Sequence, residues 1–470
     1  MTSKSTSNLQ LSGAYRLVAA FFAIAVLTGC PPKFSNLGPC AVCFGPPTQV
    51  SLEGTLSGLV GSRLMLQNNG AAGFQINGAT TDGSTANGSS VVFTSVPFNT
   101  AYNLTVQIQP TNPSQTCVVA NGTGMAGTSD VTNIAVTCTT NPPRFAYVAN
   151  RGSNNVSAYS VDATTGALAA IAGSPFSVGK LPVAIIVDPT GSYAYVANQT
   201  DATISAFTID RTSGVLTEVN GSPFATASAP TSVAVDPASA FLYVTNSGTN
   251  TVSAYAITPI SGVLTAVTGS PFTTGGSPAA VTVDPLDVYV YVADQSDGTI
   301  STFAIDNGAL APISGSPFAA GMGPRALSSG PSAQYLFIAD STANTISVLN
   351  NFQLAIPGSP FVAGSDPSSV AVDPLNNYVY VANQGSNNIS AFALNAATGA
   401  LTVVAGSPFA AGAQPASIAV DPTGMFTYVV NSGADTVSVY AIDATTGALT
   451  PIAGSPFVTG TQPSAIAIGN

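Results

Sequence analysis

The side chains that could carry out acid–base or metal chemistry are few in this sequence. Its 470 residues include no histidine, which removes the usual general base near neutral pH, the Ser-His and Cys-His nucleophile pairs and the commonest transition-metal ligand. The only glutamates, Glu53 and Glu218, lie far apart in the chain. Aspartate is therefore the only acidic residue present in number for catalysis or for binding a cation.

Some of the aspartates have a structural explanation, and others do not. Those that begin a repeated turn, where the side chain bonds to the backbone that follows, are Asp188, Asp236, Asp284, Asp373 and Asp421. The charged residues that depart from the repeat, and are candidates for a binding site, are Lys180, Asp294, Arg325, Asp340 and Asp366. Hard oxygen ligands for calcium would come from Asp294, Asp297, Asp340 and Asp366. Because no Asp-rich loop of calcium-binding spacing is present, we expect no cofactor, with calcium as the alternative.

An internal repeat sets the architecture that must position these residues. The tetrapeptide Gly-Ser-Pro-Phe occurs seven times, at intervals of 48, 48, 46, 43, 48 and 48 residues. Periods of this length are typical of propeller blades with four strands each. The composition, with 45 Gly, 34 Pro and only 6% charged residues, also favours an all-β protein. We therefore predict an all-β fold in which residues 141–470 form a seven-bladed β-propeller.

One repeat illustrates the predicted blade. Its first three strands are Pro182–Val187, Tyr193–Asn198 and Thr203–Ile209, and a type I turn over residues 188–191 joins the first two. The fourth strand is Val215–Val219. The Gly-Ser-Pro-Phe that follows is expected to end this outer strand, because proline cannot extend a hydrogen-bonded ladder.

The two ends of the array predict how the ring closes. The last segment, Pro463–Ile468, matches the first strand of a repeat, whereas the array opens at Arg144–Asn150, which matches a second strand. The C-terminal strand should therefore complete the blade that the N-terminal strand begins. Closure of this kind leaves only short strand edges exposed.

The propeller arrangement gathers the five candidate residues at one end of the central channel. Loops that enter a first strand and loops that leave a second strand lie on the same face of a propeller, so all five should surround the same mouth. Counting back through the turn at residues 330–333 places Arg325 nearly opposite Asp340 on adjacent antiparallel strands. This register predicts an inter-strand ion pair, and the alternative is a weak polar or cation-binding site.

The blade pattern Pro-x-x-x-x-Val-Asp-Pro, followed by Tyr-Val-Ala-Asn, Thr-Ile-Ser-x-Phe and Thr-Gly-x-Leu, resembles the YVTN-repeat propellers and the lactonase family typified by 6-phosphogluconolactonase. In the lactonase branch an inner strand reads Gly-Pro-Arg-His and leads to Tyr-Val-x-Asn-Glu. Here Gly323-Pro324-Arg325-Ala326 leads to Asp340-Ser341. The resemblance implies that Arg325 is the family arginine, but the histidine, asparagine and glutamate positions are occupied by Ala326, Asp340 and Ser341.

These departures favour binding over catalysis. We expect an exported, lipid-anchored propeller that acts as a monomeric binding or interaction module, with an envelope protein or a glycan as its partner. The alternative, implied by the resemblance, is a lactonase-type hydrolase or isomerase. Nucleic acid is not an expected partner, because the chain has a formal charge of −11 and only nine scattered Lys and Arg residues.

All five cysteines precede the propeller, and four of them follow Cys30. Residues 48–140 show short strand patterns separated by turn signals, which predicts a small β-sandwich of immunoglobulin-like type. In an oxidising compartment four cysteines allow three pairings, and we favour Cys117 with Cys138 and Cys40 with Cys43. The alternative for the Cys40-x-x-Cys43 spacing is a redox or metal motif.

The N-terminus indicates export. Two basic residues, Lys4 and Arg16, precede an apolar run from Leu17 to Val26, and Leu27-Thr28-Gly29-Cys30 follows. This is the layout of a secretory signal, and its end resembles the bacterial lipobox. We therefore predict that residues 1–29 are removed, that Cys30 is lipidated and that residues 30–47 form a Pro/Gly-rich tether. The protein would then be anchored in the cell envelope, at the outer membrane or cell surface, through the lipid alone.

Overall fold

A computed structural model describes residues 49–60, 64–71, 73–76, 90–110, 115–142, 144–351 and 353–469. The predicted leader, tether, Cys30, Cys40 and Cys43 lie outside these ranges. Every regular element in the described ranges is a β-strand. None of the described residues belongs to a helix that could cross a membrane.

The strands before the propeller form two four-stranded sheets. In chain order they are Gln49–Ser57, Leu64–Asn68, Phe74–Ile76, Ser90–Pro97, Ala101–Ile108, Gln115–Ala120, Thr123–Met125 and Val131–Thr140. Both sheets contribute to one apolar core, with Leu52 and Ile134 from the first sheet and Leu66 and Leu104 from the second. The immunoglobulin-like type of this segment stays a prediction.

A disulfide joins two strands of the first sheet. Cys117 and Cys138 lie directly opposite each other on the antiparallel strands Gln115–Ala120 and Val131–Thr140. Both cysteines are buried in the core that the two sheets share.

The propeller prediction is confirmed: the remaining strands form seven sheets, one for each blade. Blades are numbered from the one that contains Phe145, and their strands from the channel outwards. The first strands of blades 1 to 7 are Pro463–Gly469, Pro182–Val187, Pro230–Val235, Pro278–Val283, Pro324–Ser329, Pro367–Val372 and Pro415–Val420. The second strands are Phe145–Asn150, Tyr193–Asn198, Phe241–Asn246, Tyr289–Asp294, Tyr335–Asp340, Tyr378–Asn383 and Phe426–Asn431. The third strands are Asn155–Val161, Thr203–Ile209, Thr251–Ile257, Thr299–Asp306, Thr345–Asn350, Asn388–Leu394 and Thr436–Ile442.

The fourth strand differs from the prediction, because Gly-Ser-Pro-Phe interrupts it rather than ending it. Its first half is Leu168–Ala170, Leu216–Glu218, Leu264–Ala266, Ala309–Pro312, Leu401–Val403 and Leu449–Pro451 in blades 1 to 4, 6 and 7. Among the described residues of blade 5, only a single bridge, Leu349 with Ala355, stands in its place. Its second half is Phe176–Ser177, Phe224–Ala225, Phe272–Thr273, Phe318–Ala319, Phe361–Val362, Phe409–Ala410 and Phe457–Val458.

The serine of each tetrapeptide explains why the interruption is tolerated. In blade 2 the hydroxyl of Ser222 accepts a hydrogen bond from the backbone N–H of Ala206, at 3.0 Å. Equivalent bonds of 2.8 to 2.9 Å occur in the other six blades. The third strand therefore keeps its buried N–H groups paired across the gap.

The ring closes as the sequence predicts. Pro463–Gly469 pairs antiparallel with Phe145–Asn150, so that Ile466 lies opposite Val148. The same C-terminal strand contacts the first strands of blades 2 and 7. The blade that closes the ring is thus shared between the two ends of the propeller sequence.

Deleting residues 458–470 should destabilise the whole propeller. The deletion leaves the ladder beside Phe145–Asn150 unpaired and exposes the apolar surfaces that Ile466 and Ala467 cover. We expect the thermal midpoint to fall by at least about 5 °C, or the cooperative transition to be lost. Differential scanning calorimetry measures this, with removal of Asn470 alone as the control. A truncated protein that melts like the parent would show that closure does not stabilise the ring.

Candidate functional site

A polar cavity of about 450 Å³ lies at the end of the channel where the second strands end. Its volume falls in the range of roughly 300 to 1,000 Å³ that small-molecule sites occupy. Its lining is Arg151, Val183, Gln199, Thr231, Ser247, Ser277, Pro278, Ala279, Gln295, Arg325, Ser368, Gln384, Ala416, Ser432, Pro463 and Ser464. We call this space the mouth cavity.

Two positions of the repeat supply most of this lining. One is the residue that follows the Asn or Asp at the end of a second strand, such as Arg151, Gln199 and Gln384. The other is the second residue of each first strand, where the ladder skips one residue in every blade. A residue in such a bulge has no partner on the neighbouring strand, and its side chain can point into the channel.

The bulge corrects the predicted partner of Arg325. Pro324 is the residue opposite Asp340, and Arg325 occupies the bulge between Pro324 and Ala326. Its guanidinium forms an ion pair with Asp366 of the next blade, with 3.1 Å between Nη1 and Oδ1. The predicted pair of Arg325 with Asp340 is therefore wrong, because counting residues from the turn could not include the extra residue of the bulge.

Asp366 is held at the boundary between blades 5 and 6. Its backbone has φ of 50°, and its N–H donates to the side-chain oxygen of Asn344 in blade 5, at 2.8 Å. About a third of the Arg325 side chain and about half of the Asp366 side chain remain exposed, at 34% and 46%. The pair therefore stays in contact with solvent at the edge of the mouth cavity.

The structure does not bring the other predicted residues to the mouth cavity. Lys180 is exposed, lies outside the lining, and its backbone N–H donates to the carboxylate of Asp201. Asp294 and Asp340 are fully buried inside blades 4 and 5. Among the residues that the structure describes, no three His, Cys, Asp or Glu side chains lie close enough to hold a metal ion. Asp294, Asp297, Asp340 and Asp366 are thus not gathered into one calcium site.

Asp294 and Asp340 occupy a position that is asparagine in the other five blades. In blade 2 the amide of Asn198 donates to the hydroxyl of Ser205 on the third strand, at 2.9 Å. In blades 4 and 5 the direction reverses, and Ser301 and Ser347 donate to the carboxylates at 2.7 and 2.6 Å. These side chains lock the end of the second strand to the third, so they position the residues that line the cavity.

A buried carboxylate is costly at this position. Burial raises the pKa of Asp294 and of Asp340 to about 6, and hydrogen bonds from the serine and threonine hydroxyls only partly oppose that rise. In each residue the second carboxylate oxygen, Oδ1, is buried without a hydrogen-bond partner among the described residues. A protonated carboxyl resembles the asparagine of the other blades more closely than a charged one does.

Charge is distributed unevenly around the mouth cavity. From residue 144 onward the chain has only five cationic side chains, Arg144, Arg151, Lys180, Arg211 and Arg325. Two of them, Arg151 and Arg325, line the cavity, whereas none of the lining residues is acidic. An acidic protein that concentrates positive charge in one polar concavity favours a negatively charged ligand there.

Sequence reasoning missed most of the lining, although a signal for it exists. When the seven repeats are aligned, the residue after the second strand varies among Arg151, Gln199, Ser247, Gln295, Ser341, Gln384 and Ser432. The Asn or Asp before it hardly varies. A polar position that varies inside a nearly constant repeat is not required for the packing of the blades and is a candidate for ligand contact. All of these residues except Ser341 line the cavity.

The family described as the seven-bladed β-propeller lactonases matches residues 111–233, 220–317 and 307–467 of the chain. No curated protein sequence matches it.

Several solved structures share the fold. A candidate 6-phosphogluconolactonase from Bacteroides fragilis superposes with a TM-score of 0.62 at 17% identity, over 71% of this chain and 99% of that one. A protein from Lactobacillus plantarum has a TM-score of 0.59 at 22% identity, over 70% of this chain and 100% of its own. The periplasmic gluconolactonase of Pseudomonas aeruginosa has a TM-score of 0.58 at 17% identity, over 70% and 99%. At these identities the likeness concerns the fold alone.

Replacing Asp294 and Asp340 by asparagine should stabilise the protein above pH 6. The folded pKa of about 6 exceeds the ordinary 3.8, so folding is favoured by protonation, and this contribution is lost as the pH rises through 6. By linkage each charged carboxyl costs roughly 3 kcal/mol at pH 8. Urea unfolding should show the Asp294→Asn/Asp340→Asn variant several kcal/mol more stable at pH 8, with a much smaller gain at pH 4.

Asp297→Asn is the matched control, because Asp297 is exposed and its replacement should change little at either pH. A double variant that gains no more at pH 8 than at pH 4 would contradict the cost assigned to the two buried charges.

Proposed function

We propose that this chain, which belongs to the seven-bladed β-propeller lactonase family, binds a small hydroxy acid or its lactone in the mouth cavity. The observation that carries the proposal is the placement of Arg151 and Arg325 in a lining that has no acidic residue. Arginine donates paired hydrogen bonds in a planar fork, which suits carboxylate oxygens.

The remaining lining supports a hydroxylated ligand. Gln199, Gln295 and Gln384 offer amides that both donate and accept hydrogen bonds, as sugar hydroxyls require. The hydroxyls of Thr231 and Ser368 are already used, since they donate to the carbonyls of Pro278 and Pro415 in the next blades. They hold neighbouring first strands together. The longest polar side chains of the lining are those of the glutamines and arginines.

Hydrolysis of a lactone is a second candidate, favoured by the Arg325–Asp366 pair. Ester hydrolysis needs a base for water and a donor for the developing oxyanion. Asp366 is the carboxylate beside Arg325, which could supply that donor. However, Asp366 would have to release Arg325 before it could accept a proton, and the lining itself has no acid or base. The geometry therefore supports binding better than turnover.

The cellular setting of this proposal comes from the sequence. The secretory leader and Cys30 support a protein that is anchored to the cell envelope and meets its ligand outside the cytoplasm. A larger envelope partner or a glycan is the alternative ligand, and the volume of the mouth cavity, about 450 Å³, favours the small ligand.

Calorimetric titration of the full-length protein with gluconate tests the binding proposal. We expect saturable binding that the Arg151→Gln/Arg325→Gln variant weakens at least about tenfold, because each arginine contributes charge-assisted hydrogen bonds. Arg211→Gln, which removes a cation outside the cavity, is the control and should bind as the parent does. Absence of binding to gluconate and to gluconolactone, or equal binding by the double variant, would refute the proposal.

A pH-stat assay with glucono-δ-lactone decides between binding alone and hydrolysis. Binding alone predicts no release of acid above the rate in buffer. A rate above buffer that is lost in both Asp366→Asn and Arg325→Gln, but kept in Arg211→Gln, would establish the second candidate instead.

A further inference from the structure

We propose that a calcium ion binds at the boundary between blades 3 and 4, held by the carboxylates of Asp236 and Asp287 and facing the hydroxyl of Tyr243. The site lies on the face opposite the mouth cavity, so this inference is independent of the proposed function. It involves none of the residues from which the sequence predicts a calcium site.

Both aspartates belong to turns that join the first and second strands of a blade. Asp236 is the first residue of this turn in blade 3, and Asp287 is the fourth residue of the same turn in blade 4. The fourth residue has a positive φ in all six blades that have the turn. The residues at this position are Gly191, Ser239, Asp287, Ala333, Asn376 and Gly424, so only blade 4 has a carboxylate there.

The fourth residue of one turn faces the first residue of the turn in the preceding blade. Blades 5 and 6 show this contact, because Oδ1 of Asn376 lies 3.0 Å from the position that a Cβ on Gly330 would take. Gly330 begins the turn of blade 5 as Asp236 begins that of blade 3, so the repeat places the carboxylate of Asp287 beside Asp236. The electrostatics agree: burial raises the pKa of Tyr243, and the charges of both aspartates raise it further.

The hydroxyl of Tyr243 lies at the same boundary. The side chain is completely buried, and its hydroxyl has no partner among the described residues. In blades 1, 2, 6 and 7 the equivalent tyrosine donates to a glycine carbonyl of the next blade, at 2.9 to 3.2 Å. That glycine ends a five-residue turn such as 258–262, whereas the turn of blade 4 is shortened to Asn307-Gly308. A buried hydroxyl beside two carboxylates indicates that a water or an ion completes the contact.

The charge at this boundary favours a cation over a water. Asp236 is buried, at 1% exposure, and its Oδ1 accepts two hydrogen bonds from backbone N–H groups of its own turn, at 2.7 and 2.8 Å. Oδ1 of Asp287 is buried as well. Between Arg211 and Arg325 the sequence has no basic residue, so blades 3 and 4 contain no cationic side chain. Buried carboxylates are normally paired with a positive charge or bound to a metal.

Calcium suits these ligands better than magnesium does. Calcium binds six to eight oxygens in a flexible arrangement, whereas magnesium requires near-ideal octahedral geometry. Two carboxylates neutralise one calcium ion, and the half-buried position of Asp287 allows water to supply further ligands. With only two carboxylates we expect a dissociation constant of about 10⁻⁴ to 10⁻³ M, as in extracellular calcium modules. The ion would join blades 3 and 4 where the tyrosine–glycine hydrogen bond is missing.

Thermal unfolding of the full-length protein at pH 8, after removal of metals with EDTA, tests the site. We expect about 10 mM CaCl₂ to raise the midpoint saturably, by at least about 2 °C above its value in NaCl of equal ionic strength. Asp287→Asn should remove this rise, and Asn376 shows that the turn accommodates asparagine. Asp297→Asn removes an exposed carboxylate at the other end of blade 4. It is the control and should keep the rise.

Terbium luminescence tests the position of Tyr243. Tb³⁺ substitutes for calcium at oxygen sites, and the chain has no tryptophan, so sensitised emission must come from a tyrosine close to the ion. We expect emission that CaCl₂ suppresses, that Asp287→Asn abolishes and that Tyr243→Phe reduces to a small remainder. Phe337 occupies the equivalent position in blade 5, so the fold accommodates phenylalanine there.

Each result has a defined meaning. A calcium-dependent rise that is lost in Asp287→Asn and kept in Asp297→Asn supports the site. No saturable effect of CaCl₂ on the parent, or an equal rise in Asp287→Asn, overturns the inference. Terbium emission that Tyr243→Phe leaves unchanged also overturns it. If Asp287→Asn is more stable than the parent at pH 8 and neither protein responds to calcium, the two carboxylates repel each other without an ion, and the inference is wrong.

Discussion

The fold depends on the burial of each second strand against the next blade. The side chain of Tyr147 in blade 1 is completely buried, and its hydroxyl donates to the carbonyl of Gly214 in blade 2 at 2.9 Å. Gly214 has φ of 73°, and a Cβ there would lie 2.4 Å from the ring of Phe145. The same contact recurs from Tyr195 to Gly262 and from Tyr380 to Gly447. Because the last blade makes it with the first, through Tyr428 and Gly166, the ring requires a complete set of blades.

This constraint decides where function can reside. Strands that pack on both faces and end in a buried Asn–Ser hydrogen bond leave few side chains free to vary, and loops on a rigid frame are the usual place for binding residues. Two positions per blade are free of this constraint, the bulge and the residue after the second strand, and apart from Ser341 the residues at these positions line the mouth cavity. Blades that are nearly identical in sequence can therefore contribute different side chains to the cavity. Arg151 and Arg325 lie there among the amides and hydroxyls of the other blades.

Blades 4 and 5 are the least regular part of the ring, and Arg325 belongs to them. The repeat shortens to 46 and then 43 residues there, and these are the two blades in which the second strand ends in a buried aspartate, Asp294 or Asp340, instead of asparagine. In blade 4 the turn between the third and fourth strands is shortened to Asn307-Gly308. Of the fully buried tyrosines, only Tyr243 in the preceding blade has a hydroxyl without a partner among the described residues. Natural proteins commonly give up local stability near functional sites, and this sector carries Arg325, one of the two arginines that line the mouth cavity.

The sequence alone determined the number of blades, the bounds of the first three strands of the blade that was analysed and the closure of the ring, because each follows from a repeat whose period and turn residues are read directly. It also identified Arg325 as a residue of the channel mouth. Only the tertiary structure decided that Arg325 pairs with Asp366 rather than Asp340 and that Asp294 and Asp340 point into the blades. The physical reason is that a one-residue bulge moves a side chain out of register with its own sheet, and its new neighbour comes from the adjacent blade. Periodicity within one blade contains no information about that neighbour, since it is set by how seven blades pack into a ring.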